Sequence, residues 1–296
     1  MRAVKRLFLL LAVLMFNAVV AAEGVDAACT QHSLRIAVIP KKSMEELLKE
    51  HRSLTERLTR ATGIPVEIVP SSSYESVVDA IVSGGVDIAW LGPASYVIAH
   101  QRDPRIEPFA SLTISHGFFT PAGHHYQALL LVRSETAKAI PDLRGKRVAL
   151  TDPASTSGSV VPNAEFSALL GEPLGQFFGS IVYAGSHDKS LDALLARKVD
   201  AAFVSSVRAD EYLTNGLISR DTFKVLWRSE PIYYDPFVFS GTLCPAIKEQ
   251  VRNAMLNDQA GLAQFLKSQE ASGIVPVDHA AYAPLLGKMQ AAPAAQ

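Results

Sequence analysis

The chain has 296 residues, with 28 lysines and arginines against 29 aspartates and glutamates and a formal net charge of −1 at neutral pH. That balance supplies no basic surface for nucleic acid or anionic lipid, so an anionic ligand would have to be held by local geometry. The length allows one large domain or two lobes of roughly 100–150 residues each.

Met1-Arg2-Ala3-Val4-Lys5-Arg6 opens the chain, and an apolar run from Leu7 to Ala22 follows, broken only by Asn17. A basic start, a short apolar stretch and small residues at its end are the parts of a secretory signal. The signal is assigned to residues 1–22, with Ala28 as the alternative cleavage point. The competing assignment is a membrane anchor, for which the run falls short of the roughly 20 apolar residues a span needs. Cys29 after Ala27-Ala28 has the look of a lipoprotein signal, but Asp26 stands where that signal wants an aliphatic residue. Losing Arg2, Lys5 and Arg6 leaves 25 basic residues against 29 acidic, a net charge of −4. Export to the periplasm counts against readings that need ATP, NAD or nucleic acid. In that oxidising compartment Cys29 and Cys244 form an even pair, either bonded to each other or buried as two separate thiols.

Leu34–Ile39 (LRIAVI) is a continuous apolar run ending at Pro40, as in a buried parallel strand. From about Ser43 to Thr62 the apolar residues Met44, Leu47, Leu48, Leu54 and Leu58 keep helical spacing, and Gly63-Ile64-Pro65 stops the helix. Val66–Val69 reads as a second strand and Tyr74–Val82 as a second helix. Val86–Leu91 reads as a third strand, with a helix from about Ala94. This order predicts a parallel sheet with right-handed crossovers. Tyr126–Arg133 is extended. Strands at Arg147–Leu150, Ile181–Tyr183 and Ala201–Val204 alternate with helices, so a second α/β unit starts near residue 130. Extended runs at Val225–Trp227 and Phe237–Phe239 precede a mostly helical tail from Ala246 to Phe265. The runs at Tyr126–Arg133 and Pro236–Ser240 are the natural crossings between two lobes. Ligands in such sheets bind beyond the carboxyl ends of strands, and two lobes facing each other there make a cleft that closes by a hinge.

Asp152-Pro153-Ala154-Ser155-Thr156-Ser157-Gly158 lies between a strand and a helix. Three hydroxyls beside the unpaired N–H groups of a helix start suit a tetrahedral oxyanion, aided by the helix dipole. Helix capping accounts for one hydroxyl; three in a row followed by Gly exceed what a cap needs.

DPASTSG, with YAGSHD at Tyr183–Asp188 and DIAWLGPASY at Asp87–Tyr96, resembles the phosphate/phosphite/phosphonate-binding proteins of ABC transporters. The likeness runs from about Leu34 to Leu256, in order and at matching spacings, and includes Asp142–Ala149 (DLRGKRVA). It implies a type II periplasmic-binding-protein fold: two α/β lobes, a two-strand hinge and a ligand cleft between them. Residues 31–127 with 238–290 are then a discontinuous first lobe, and 128–237 the second. By the same resemblance Ser155, Thr156 and Ser157 would donate to phosphoryl oxygens, and His187 would reach the same group. Tyr74 and Tyr126 would add phenolic donors, and Asp235 would accept a proton from a P–OH group. An ionised Asp235 would disfavour sulfate, which carries no proton near neutral pH. Relatives that hold an aminoalkyl tail are expected to place a carboxylate after the strand equivalent to Ala201–Val204. Here Ser205-Ser206-Val207 follows, with no acid before Asp210, which favours a smaller or uncharged substituent. Phe118, Phe119, Tyr233 and Tyr234 could crowd the pocket or simply pack.

The function implied is capture of a small phosphorus oxyanion in the periplasm by a monomer that delivers it to an ABC membrane permease, with no cofactor and no nucleic acid. A ligand sensor of the same fold reporting to a separate membrane protein is the alternative. A metal receptor built on His116, His124 and His125 lacks helical spacing and nearby carboxylates. An enzyme using Ser157, His187 and Asp235 lacks the G-x-S-x-G elbow, so no catalytic or metal role is assigned.

Overall fold

Two sheets and a short ribbon account for the strands among the described residues. The computed structural model describes Cys29 and residues 31–291, so the expected signal, residues 1–22, lies outside the described residues. The chain divides into a short unit, Met1–Gln31, and a large one, His32–Gln296. Neither cysteine is a free thiol.

The large unit opens with β1 (Leu34–Val38), α1 (Met44–Thr62), β2 (Val66–Val69), α2 (Tyr74–Val82), β3 (Ile88–Trp90) and α3 (Pro93–Arg102). Ser43 and Glu46 cap α1 reciprocally, and Gly63, at φ 70°, ends it in the left-handed conformation that Gly adopts without strain. Its inner face carries Leu47, His51, Leu54 and Leu58, one residue per turn, against the sheet. β1 pairs in parallel with both β2 and β3, as the alternating pattern predicts.

Three further strands complete this sheet in the order β13-β4-β12-β3-β1-β2: β4 (Glu107–Ile114), β12 (Pro236–Phe239) and β13 (Ala271–Pro276). β12 runs antiparallel between β3 and β4. β4 tolerates Pro108 because the register shifts between Phe237 and Val238, leaving Phe109 as an extra residue in the strand. Phe109 stacks on Phe239 at 3.8 Å between ring centroids, and Trp90 stacks on Phe237 at 4.7 Å.

The second sheet has the order β10-β6-β9-β7-β8, from β6 (Ala128–Arg133), β7 (Arg147–Leu150), β8 (Ser180–Tyr183), β9 (Ala201–Ser205) and β10 (Phe223–Arg228). β7, β8 and β9 are parallel, and β6 runs antiparallel to both its neighbours, β9 and β10. Helices α4 (His187–Leu195) and α5 (Ser206–Thr214) start directly from the ends of β8 and β9.

Between the sheets, β5 (His125–Tyr126) and β11 (Ile232–Tyr233) pair antiparallel as a two-stranded ribbon. The return crossing is therefore Ile232–Tyr233. It precedes the expected run at Pro236, whose residues are already a strand of the first sheet. The carboxyl ends of β1 and β3 face those of β7, β8 and β9, which is where the candidate residues converge. Among the described residues no helix is long and apolar enough to cross a membrane.

Candidate functional site

The loop after β7 is shaped by its own side chains. Asp152 Oδ1 accepts from the Ala154 N–H at 2.9 Å, turning the chain back toward the sheet. Ser155 is the N-cap of the helical run that follows: its Oγ accepts from the Gly158 N–H at 3.2 Å, leaving its own O–H free to donate into the cavity. The first turns are π-helical, and both Ser159 N–H (3.1 Å) and Val160 N–H (2.9 Å) bond to the Ser155 carbonyl. Thr156 and Ser157 sit in the first turn, whose N–H groups have no acceptor within the helix. Donors from side chain and backbone thus gather at one helix start, where the dipole favours an anion.

Gly158 is required by a close approach rather than by backbone conformation. A Cβ at this position would lie 2.1 Å from Thr151 Oγ1 and 2.9 Å from Ser155 Oγ. Gly158→Ala is expected to cost about 1–3 kcal/mol of stability through overpacking and to displace the three hydroxyls. Thermal unfolding with a ligand titration checks this; a variant that unfolds and binds like the parent contradicts it.

All seven residues singled out in the sequence line one cavity of about 30 Å³. Ser155, Thr156, Ser157 and His187 come from the second sheet, Tyr74 from the start of α2, Tyr126 from the ribbon, and Asp235 from the residue before β12. The wall is closed by contacts across the cleft: Thr156 Oγ1 accepts from the Ala94 N–H at 2.8 Å, and Ser95 Oγ donates to the Ala154 carbonyl at 2.9 Å. The Tyr74 hydroxyl is fully buried beside Ser155 and makes no well-aligned hydrogen bond within the protein. Such an orphan donor is costly unless a ligand takes it.

Burial sets the protonation states. His187 Nδ1 lies 3.3 Å from the Ser205 N–H, which can only donate, and 3.1 Å from Thr151 Oγ1. The neutral ring therefore carries its proton on Nε2. Burial, reinforced by Lys41 and Arg208, pushes its pKa down to about 3, so the ring is a neutral donor at any working pH. Burial and the nearby Asp235 push the Tyr74 and Tyr126 phenols up, keeping both protonated. Asp235 is pushed up by burial and held back by Lys41, whose ammonium pairs with its Oδ2. Lys41 also lies over the Trp90 ring at 4.1 Å.

A stability consequence follows for His187. Its folded pKa is lowered from about 6.5 to about 3, so between those values the unfolded chain takes a proton the native state refuses. That contribution is fully present above the unfolded pKa and is lost as pH falls below it. Urea unfolding at about pH 7.5 and about pH 5 is expected to show a smaller acid loss in His187→Gln than in the parent; equal losses contradict the assignment.

Several lining residues escaped the sequence reading: Lys41, Arg208 and Glu211 carry charge into the wall, and Gly92 lies beside them. Lys41 follows a strand end, the position at which α/β sheets place ligand contacts. The acid expected to be missing after β9 is present as Glu211, but Lys42 and Arg208 both hold it. Asp210 is turned away and accepts from the Phe119 N–H at 2.8 Å. Tyr234 lines the cavity, whereas Phe118 and Tyr233 are largely exposed and Phe119 packs in the second lobe's core.

The side chains weighed for a metal site or a triad have other partners in the structure. His116 lines a separate cavity with Phe118 and Arg220, and His125 packs on Tyr233 at 4.4 Å. Among the described residues no group of three His, Cys, Asp or Glu could hold a metal ion. His187 is oriented by Thr151 and Ser205 rather than by Asp235, which Lys41 occupies.

Comparison with known proteins bears on the family and the fold. The family described as the phosphonate periplasmic substrate-binding protein of ABC transporters matches residues 36–282. The phosphate-import protein PhnD of Mycolicibacterium smegmatis is 26% identical over 270 residues, 84% of this chain and 83% of that protein. A binding-protein component of an ABC phosphonate transporter from Pseudomonas aeruginosa superposes with a TM-score of 0.78 at 22% identity, covering 87% of this chain and 85% of its own. PhnD1 of Prochlorococcus marinus, solved with methylphosphonate, gives 0.74 at 18% identity, covering 88% and 97%. These folds are the type II periplasmic-binding architecture that the resemblance implied.

Proposed function

Because the chain belongs to the phosphonate periplasmic substrate-binding proteins of ABC transporters, we propose that its cavity captures one small phosphorus oxyanion for delivery to a membrane permease. The family is one of transport proteins rather than enzymes, and it works in the periplasm. One observation carries the choice of ligand: three hydroxyls at a helix start, a neutral His187 and the orphan Tyr74 hydroxyl converge on a cavity of about 30 Å³. A site so small favours an oxyanion with a hydrogen, hydroxyl or methyl substituent over one with a longer tail.

In this reading Ser155, Thr156 and Ser157 donate to the phosphoryl oxygens and His187 Nε2–H to one of them. Tyr74 and Tyr126 donate from the opposite wall, and the second oxygen of Asp235 accepts from a P–OH. Import rather than sensing is what the family does. The proposed lobes are 31–127 with 236–290 and 128–235, moved two residues from the sequence expectation so that β12 stays whole, with β5 and β11 as hinge. The binding unit proposed is a monomer. The signal is cleaved near Ala22.

Calorimetric titration with phosphite, phosphate, methylphosphonate and 2-aminoethylphosphonate tests the function. The first three are expected to saturate one site. The aminoethyl compound is expected to bind at least about tenfold more weakly, because Glu211 already has two cationic partners and an added ammonium would be left unpaired. Failure of every phosphorus oxyanion to bind removes the reading.

A further inference from the structure

Five charged side chains form a continuous series of ion pairs, of which Arg208 and Glu211 line the cavity. Lys42 Nζ contacts Glu50 Oε1 at 2.9 Å and Glu211 Oε2 at 2.8 Å. Arg208 holds the same Glu211 oxygen and reaches Asp188 Oδ2 at 2.8 Å. Lys42 and Glu50 belong to the layer of the first sheet, before and on α1. Asp188, Arg208 and Glu211 belong to α4 and α5 beside the second sheet. The Lys42–Glu211 pair therefore spans the cleft, and it does so away from water, with side chains 5% and 14% exposed.

The position of this pair bears on the ligand's substituent. Phosphoryl donors occupy the ends of β7 and β8, while the turn after β9 supplies the wall where Arg208 and Glu211 stand. A substituent on phosphorus directed at that wall meets Glu211 while its carboxylate is tied across the cleft. Resting on the oxyanion function proposed above, we infer that the Lys42–Glu211 pair is a specificity determinant that limits the substituent on phosphorus to about one heavy atom. A longer tail has to part the pair, leaving two desolvated charges each short of a partner. The pair can form only with the lobes together, so the same tail also holds the cleft open. Size selection and closure are thus read by one contact.

The test is calorimetry of the mature chain with methyl-, ethyl- and propylphosphonate. The unaltered protein is expected to bind propylphosphonate at least about a hundredfold more weakly than methylphosphonate. In Glu211→Ala, Lys42 retains Glu50 and Arg208 retains Asp188, so no cation is stranded. This variant is expected to bring the methyl-to-propyl ratio within about tenfold. Lys42→Met, which removes the cross-cleft partner and leaves Glu211 on Arg208, is expected to lower the ratio as well. An unaltered protein that binds propylphosphonate as tightly as methylphosphonate overturns the inference without any variant. So does a ratio unchanged in both variants. Absence of methylphosphonate binding by the unaltered protein overturns the proposed function and this inference with it; binding that is insensitive to tail length overturns the inference alone.

Discussion

Replacing Ser155, Thr156 and Ser157 together by alanine is expected to lower the affinity for methylphosphonate by at least about a thousandfold. Hydrogen bonds to a charged group contribute roughly 1.5–3 kcal/mol each, and three are lost at once. The fold should survive. Loss of the Ser155 cap costs about 0.5–2 kcal/mol, and the Ala94 N–H loses its acceptor on Thr156. A modest fall in unfolding temperature should accompany the binding defect. Circular dichroism and calorimetry on the same sample separate the two effects. Retained affinity in a folded triple variant would place the ligand elsewhere.

Asp235→Asn is the second large effect, and its direction differs between ligands. Asp235 is buried with its Oδ2 on Lys41, and its other oxygen is the proposed acceptor for a ligand proton. Asn removes the negative charge and leaves the ammonium without its counter-charge. A dianion gains from that change, whereas a protonated monoanion loses a charge-assisted acceptor. Sulfate has no proton to offer at neutral pH, so the ratio of methylphosphonate to sulfate affinity is expected to fall at least about tenfold. An unchanged ratio excludes Asp235 from discriminating between the two. Lys41 also refines the expectation drawn from the carboxylate alone: its ammonium offsets part of the repulsion that Asp235 imposes on a dianion.

The parallel halves of both sheets were legible because each strand is a short apolar run between a helix and a Gly- or Pro-bearing turn, as at Leu34–Ile39 and Arg147–Leu150. β4 and β13 were not. Their partners are remote or antiparallel, and Pro108 looks like a break until the bulge opposite Val238 shows how it fits. The ribbon of β5 and β11 is too short for periodicity to reveal, since two residues per strand carry no pattern.

The site divides in the same way. Ser155 to Ser157 are conspicuous because three hydroxyls before a glycine exceed any capping need. Tyr74, Tyr126, His187 and Asp235 stood out only through the ordered resemblance, as each alone has an ordinary structural use. Lys41 and Lys42 belong to no motif in the sequence, although both side chains are mostly buried. Asp210 and Glu211 are neighbours on α5, so which of them faces the cavity depends on helix phase, about 100° per residue. No composition or spacing reports that phase before the lobes are assembled.

The central claim is that the cavity beneath the Ser155–Ser157 helix start holds a phosphorus oxyanion, and a crystal structure with methylphosphonate tests it most directly. The account predicts phosphorus within hydrogen-bonding reach of those three hydroxyls, with His187 Nε2 and the Tyr74 hydroxyl on its oxygens. Ligand density in the separate cavity beside His116 and Arg220, with the Ser155–Ser157 cavity holding only solvent, would contradict it.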